Sequence, residues 1–219
     1  MSIDIDTPYA LRAEHVATFR EQGCIKLKDV LSADTLAHYG AEITRLTIEL
    51  NTQAKPLEER STYDRAFLQV MNLWESSPLV GRFVMGQRLA RIAAELLQVQ
   101  GVRLYHDQSL YKEPGGGITP AHADQYYWPL ASDRTITAWI PLQAVPEAMG
   151  PLGFYGRSQS EAFGRDLASA MRAKPRSAPT WRSTASSFPA ARSSWARSAS
   201  TWAGPSTKPG PTCRSSRVQ

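Results

Sequence analysis

The chain has 219 residues, 42% of them hydrophobic, and a formal net charge of +5, which suits one domain with a sizeable core better than two. No stretch approaches the roughly 18 uncharged apolar residues of a membrane helix. The opening MSIDIDTPYALRAEH lacks the basic and apolar regions of a signal peptide, so no membrane association and a cytoplasmic location are expected.

The charge is unevenly spread. From Ala168 to Gln219 there are seven Arg, two Lys and no Asp or Glu, so this tail carries +9 of a total of +5 and leaves −4 on the 167 residues before it. Clustered cations suit nucleic-acid phosphates. Here, however, 40 of the 52 tail residues are Ala, Ser, Arg, Pro or Thr, with no Leu, Ile, Tyr or His. So little apolar surface cannot offset the entropy of ordering a chain, and the tail reads as disordered. The division is a folded domain over 1–167 and a low-complexity basic tail over 168–219, with no nucleic-acid partner. Cys24 and Cys213 are too far apart in sequence to offer a metal spacing or a disulfide framework.

In chain order, a short helix is expected around Glu14 to Gln22, followed by a strand at Cys24–Leu27. Ser32 is an N-cap candidate for a helix running to about Leu50, with Leu36, Tyr39, Ile43, Leu46 and Leu50 on one face. A second long helix starts after Ser77 with Pro78 in its first turn and carries Val80, Phe83, Val84, Leu89, Ile92, Ala93, Leu96 and Leu97. After Val99 the period shifts toward two. Strand candidates lie at Val102–Lys112, Ile118–Tyr126, Thr135–Pro141 and Leu152–Tyr155, with turn chemistry at Pro114-Gly-Gly-Gly117 and Glu147-Ala-Met-Gly-Pro151. Helices first and strands second indicate an α+β fold with an antiparallel sheet or barrel.

The segment that carries chemistry is Leu110-Tyr-Lys-Glu-Pro-Gly-Gly-Gly-Ile-Thr-Pro-Ala-His-Ala-Asp124 and its continuation to Leu130. In a strand, residues i and i+2 share a face, so His122 and Asp124 would project side by side. An imidazole and a carboxylate so placed are two legs of a 2-His-1-carboxylate facial triad. Taken alone, such a pair could equally lie on any strand surface.

The surrounding sequence resembles the phytanoyl-CoA dioxygenase family. Arg103-Leu-Tyr-His-Asp-Gln108, Tyr111-Lys-Glu-Pro114, His122-x-Asp124, Thr135-Ile-Thr-Ala-Trp-Ile-Pro-Leu142 and Met149-Gly-Pro-Leu152 follow the family's order and spacing, and the likeness covers most of residues 10 to 160. A departure is Tyr155-Gly-Arg-Ser-Gln159, where the family has a proline-glycine-serine-histidine turn. The resemblance implies a double-stranded β-helix, or jelly roll, with flanking N-terminal helices. It also implies Fe(II) held by His122 and Asp124, 2-oxoglutarate as co-substrate, and hydroxylation of a small-molecule substrate by O2 with release of succinate and CO2. On the same basis Lys112 and Trp139 belong to the co-substrate pocket, Tyr105, Gln108 and Gln125 line the substrate side, and His106 is structural rather than a ligand.

The family's third ligand is a downstream histidine in a pattern like His-x-Ala-Gly-Pro-Asn-x-Ser-x-x-x-Arg, whose arginine pairs with the distal carboxylate of 2-oxoglutarate. No histidine follows His122 in this chain; the four are His15, His38, His106 and His122. Reading codons from the third base of each present codon, Thr201 to Thr212 permits Leu-Gly-Trp-Thr-Phe-His-Lys-Ala-Gly-Pro-Asn, and an arginine can follow at the family spacing. The glycine is forced by the bases of Trp202 and Ala203. One base lost near codon 168 is therefore expected. It would remove the distal His and Arg and leave the chain inactive, and the alternative is a non-catalytic remnant of the same fold.

Overall fold

The computed structural model describes residues 3–119, 122–124, 128, 130, 132 and 134–157. The tail from Ala168 and Gln125, to which sequence assigned roles, lie outside the described residues. The elements are helices α1 (Ala13–Gln22) and α2 (Ala33–Leu50), strand β1 (Leu68–Met71), helices α3 (Leu73–Ser76), α4 (Pro78–Val84) and α5 (Gln87–Leu97), and strand β2 (Gln108–Tyr111). Single 3-10 turns lie at Leu57–Glu59 and Glu147–Met149.

Helix α1 stops at Gly23, whose left-handed backbone (φ 73°) lets its N–H close onto the Phe19 carbonyl. Helix α2 starts where expected, with the Ser32 hydroxyl accepting from the Thr35 N–H at 3.2 Å. Its Tyr39, Ile43 and Leu46 form the core with Ile5, Leu73, Val80 and Phe83, and Ile140 and Leu142 pack against that cluster. The expected second long helix is instead two, broken at Met85-Gly86. A Cβ on Gly86 would meet the Ile5 Cβ and carbonyl oxygen at 3.0 Å, and the Arg88 N–H donates to that carbonyl at 2.7 Å. The N-terminal segment thus docks across the break.

That segment is anchored by a buried charge cluster. Arg88 donates to the Asp4 carboxylate at 2.7 Å, to the Val30 carbonyl at 2.6 Å and to the Thr7 carbonyl at 2.7 Å. Asp4 also accepts from the Thr35 hydroxyl at 2.5 Å and from the Ser32 backbone at 3.2 Å. Burial alone would raise the Asp4 carboxyl, but the bonds from Thr35 and Ser32 and the charge of Arg88 outweigh it and hold it below its ordinary value.

β1 and β2 form an antiparallel ribbon in the register Leu68↔Tyr111, Gln69↔Leu110, Val70↔Ser109, Met71↔Gln108. One face rests on α2, where Thr47 donates to the Ser109 hydroxyl at 2.8 Å and Thr44 bonds the Tyr111 hydroxyl at 2.6 Å. Gln69, Met71, Gln108 and Leu110 line the other face.

Among the described residues these two strands are the only sheet, so the fold is mixed helix and strand with far less β-structure than the sequence suggested. Cys24–Leu27 is irregular, Val102–Lys112 contracts to Gln108–Tyr111, and the described part of Ile118–Tyr126 is not a strand. Thr135–Pro141 and Leu152–Tyr155 contribute single bridge residues, Ile136 and Tyr155. Period-two patterning gives a strand only where a backbone partner exists. Before Gln108 the chain is diverted: the Asp107 carbonyl accepts from Asn72 N–H at 2.9 Å and its carboxylate from Leu73 and Trp74 N–H at 3.2 and 3.4 Å. A distant residue thereby caps the first turn of α3.

Burial pushes the Asp107 carboxyl above its ordinary value, and the N–H bonds from Trp74 and Leu73 only partly offset this. A raised folded value means that the native state holds the proton more tightly, so stability falls as pH rises from about 3.8 through that folded value. Asp107→Asn keeps an acceptor for the cap and removes the ionisation. It is expected to match or exceed the wild type in urea-unfolding stability at pH 7, whereas Asp107→Ala loses about 1 kcal/mol with the cap.

Candidate metal and co-substrate site

The approach to the site is the turn after β2. Gly115 has φ +75°, and a Cβ on Gly116 would meet the Arg65 and Glu113 carbonyl oxygens at 2.9 Å each. The Gly117 N–H donates to the Arg65 carbonyl at 2.6 Å. The glycine run is therefore needed for the turn to lie against residues 65–66. Gly116→Ala must push backbone apart, and a loss of about 2 kcal/mol is expected in urea unfolding.

Lys112 lies along this turn, its ammonium donating to the Ala66 and Gly117 carbonyls at 3.1 Å each. Arg60 forms an ion pair with Glu113 and donates to the Lys55 carbonyl at 2.7 Å, tying the 55–60 segment to the same turn.

His122 and Asp124 are brought together, with Nε2 to Oδ1 at 3.2 Å. Thr137 donates to the other oxygen of Asp124 at 3.1 Å and so orients the carboxylate. Two donors bound at adjacent positions of one metal, each at roughly 2.1 Å, would stand about 3 Å apart. The pair fits two legs of an iron site. Among the described residues, no group of three or more His, Cys, Asp or Glu is placed to hold a metal, so the residues present supply a half-site. Trp139, two residues beyond Thr137, is 36% exposed.

His106 packs tilted on Trp128 with ring centroids 4.4 Å apart and edge-on to Tyr105 at 5.3 Å. Burial lowers its proton affinity and the Asp124 charge restores part of it, so the imidazole is neutral at pH 7. No motif or spacing marked Thr137 as the partner of Asp124, or Tyr63 and Gln69. The Tyr63 hydroxyl donates to Gln69 Oε1 at 2.8 Å, and Gln69 Nε2 donates to Gln108 Oε1 at 2.6 Å.

In residue type and spacing the His-x-Asp pair corresponds to two of the three ligands of a 2-His-1-carboxylate site. The family model described as phytanoyl-CoA dioxygenase (PhyH) matches residues 19–196, and the chain belongs to that family. Its members have a cupin-type jelly-roll fold and are generally Fe(II)- and 2-oxoglutarate-dependent oxygenases. The match extends past Leu167, where the composition changes. No curated protein and no solved structure matches significantly. Among the described residues no helix is long and apolar enough to cross a membrane.

Proposed function

We propose that this chain derives from an Fe(II)- and 2-oxoglutarate-dependent dioxygenase that hydroxylates a small organic substrate, and that a reading-frame change near codon 168 has removed its distal histidine and arginine. The 3.2 Å approach of His122 to Asp124 supports the reading best. With 2-oxoglutarate and O2, bound iron supplies the oxidising chemistry in this family; the protein's part is to bind, orient and shield. His122 and Asp124 would hold the metal, and Thr137, donating to Asp124 Oδ2, fixes the orientation of the carboxylate.

Lys112 and Trp139 serve the co-substrate. The Lys112 ammonium, held by two carbonyls, keeps a third N–H for a carboxylate oxygen, and Trp139 offers an exposed apolar wall. The folded unit is residues 1–167, and its jelly roll is incomplete without in-frame C-terminal strands. With two ligands and no carboxylate-binding arginine, the chain binds iron weakly and turns over little or nothing. The same half-site favours a second reading, a non-catalytic remnant that keeps the fold.

Co(II) titration followed by visible absorption tests the metal half of the proposal. Weak saturable binding is expected for the wild-type chain, with loss in both His122→Ala and Asp124→Ala. Binding unchanged in both variants rules out this site. The nucleotide sequence tests the frame: codons that cannot encode a histidine across Ser206 and Thr207 refute the shift.

A further inference from the structure

A groove whose lining includes neither His122 nor Asp124 lies between the end of α2 and the segment that leads into β1. Its volume is about 180 Å³, and Asn51, Thr52 and Gln53 face Tyr63, Asp64 and Phe67 across it. That is below the roughly 300–1,000 Å³ of drug-sized pockets, so the groove suits a headgroup of a few heavy atoms.

The helix end, a carboxylate and two rings give this groove one electrical sign. Helix α2 has 18 residues and no basic residue in its last turn, and Asn51 leaves it in extended conformation (φ −63°, ψ 127°). Helices α1 and α5 instead close on left-handed residues, Gly23 and Gln98, whose N–H groups return to carbonyls of the last turn. The end of α2 therefore keeps the partial negative charge of a helix C-terminus, which favours a cation. The exposed Asp64 carboxylate accepts from the Ser61 hydroxyl at 2.7 Å, and among the described residues no cation pairs with it. Lys55 and Arg65 are close in sequence but do not line the groove. The Tyr63 and Phe67 rings meet edge to face with centroids 5.7 Å apart, and Tyr63 is 58% exposed, which leaves ring surface open to a ligand. An aromatic face attracts positive charge. The ring is also steadied, since bonds of 2.8 and 2.6 Å join Tyr63 to Gln69 and Gln69 to Gln108 in a ladder anchored on β1 and β2.

We infer that the groove between the end of α2 and Tyr63–Phe67 is a binding site for a small primary ammonium, whose nitrogen sits between the Asp64 carboxylate and the helix end while its first methylenes lie on the two rings. A primary ammonium brings three N–H donors to a place rich in acceptors, whereas a quaternary ammonium brings charge without donors. An anion meets the same sign on every side. The site needs no metal and stands apart from the oxygenase reading.

Ligand-observed proton NMR on the full chain at low salt, with chelator present, tests the site. The probes are butylammonium, tetramethylammonium, 1-butanol and butanoate, each titrated against wild type, Asp64→Asn, Phe67→Leu and the double variant, with circular dichroism to verify each fold. Butylammonium is expected to bind saturably, with the strongest saturation transfer at the methylene beside nitrogen. Tetramethylammonium is expected to bind more weakly, and butanol and butanoate not at all. Asp64→Asn keeps an acceptor for Ser61 and removes only the charge. It and Phe67→Leu should each weaken butylammonium binding about threefold, the size expected of an exposed carboxylate or ring, and about tenfold together. Added salt should weaken binding to wild type more than to Asp64→Asn. No saturable binding of butylammonium, equal binding of butanol or tetramethylammonium, or unchanged binding in the folded Asp64→Asn chain overturns the inference.

Discussion

Restoring one base near codon 168 is expected to raise Fe(II)- and O2-dependent conversion of 2-oxoglutarate to succinate at least about 100-fold over the chain as it stands. Outer-shell partners of metal ligands are commonly worth 10- to 100-fold in metal affinity or activity, and a ligand itself is worth no less. On the proposed reading, the restored chain would regain a third ligand beside His122 and Asp124 and an arginine able to grip the distal carboxylate of 2-oxoglutarate as a bidentate fork. It would also regain residues with which to continue the sheet beyond β1 and β2. Succinate formation by both proteins, with and without added small organic substrates, is the measurement. Activity in the restored form only supports family chemistry and frame together. Silence in both, with an intact fold by circular dichroism, moves the non-catalytic reading ahead.

Arg88→Ala should cost the fold about 3–5 kcal/mol in urea unfolding at pH 7, the usual penalty for leaving one partner of a buried ion pair uncompensated. The side chains of Arg88 and Asp4 are only 10% and 17% exposed. The guanidinium also satisfies the carbonyls of Thr7 and Val30, so its loss strands acceptors on two segments. Asp4→Asn should cost less, since an amide oxygen can still accept from Thr35 and Ser32. The pH dependence separates charge from packing. Because the folded Asp4 value is depressed below 3.8, its contribution is present above that pH and is lost as pH falls through the folded value. Wild-type stability should therefore drop on acidification toward pH 3, and Asp4→Asn should remove that part of the slope. An Arg88→Ala chain as stable as wild type would show the cluster to be dispensable.

Local signals were readable in the sequence and remote ones were not. Helix α2 was legible to its first residue because Ser32 supplies its own cap and Tyr39, Ile43 and Leu46 repeat at helical spacing. The break at Met85-Gly86 was invisible, since Gly86 alone says little and its reason is Ile5, some 80 residues earlier in the chain. Among the described residues fewer strands form than expected, for a related cause: alternation in Thr135–Pro141 describes how a chain could pair, while pairing depends on a neighbour. The adjacency of the His122 and Asp124 side chains was legible from their two-residue spacing. Thr137 as the anchor of Asp124, the carbonyls that hold Lys112, and the Tyr63–Gln69–Gln108 ladder each depend on contacts between segments, for which one sequence carries no pattern.

The hydroxyl contacts beneath the ribbon have a further consequence. Thr44 and Thr47 stand three residues apart on α2 and meet Tyr111 and Ser109, two residues apart on β2. Apolar packing would let a strand creep along a helix at little cost, since grease has no direction. Two hydroxyl pairs at mismatched spacings behave like two dowels in one joint, because no sliding motion keeps both engaged. The ribbon is thus indexed to the helix at one position, and the aim of everything on its outer face is set from behind, by residues on its inner face.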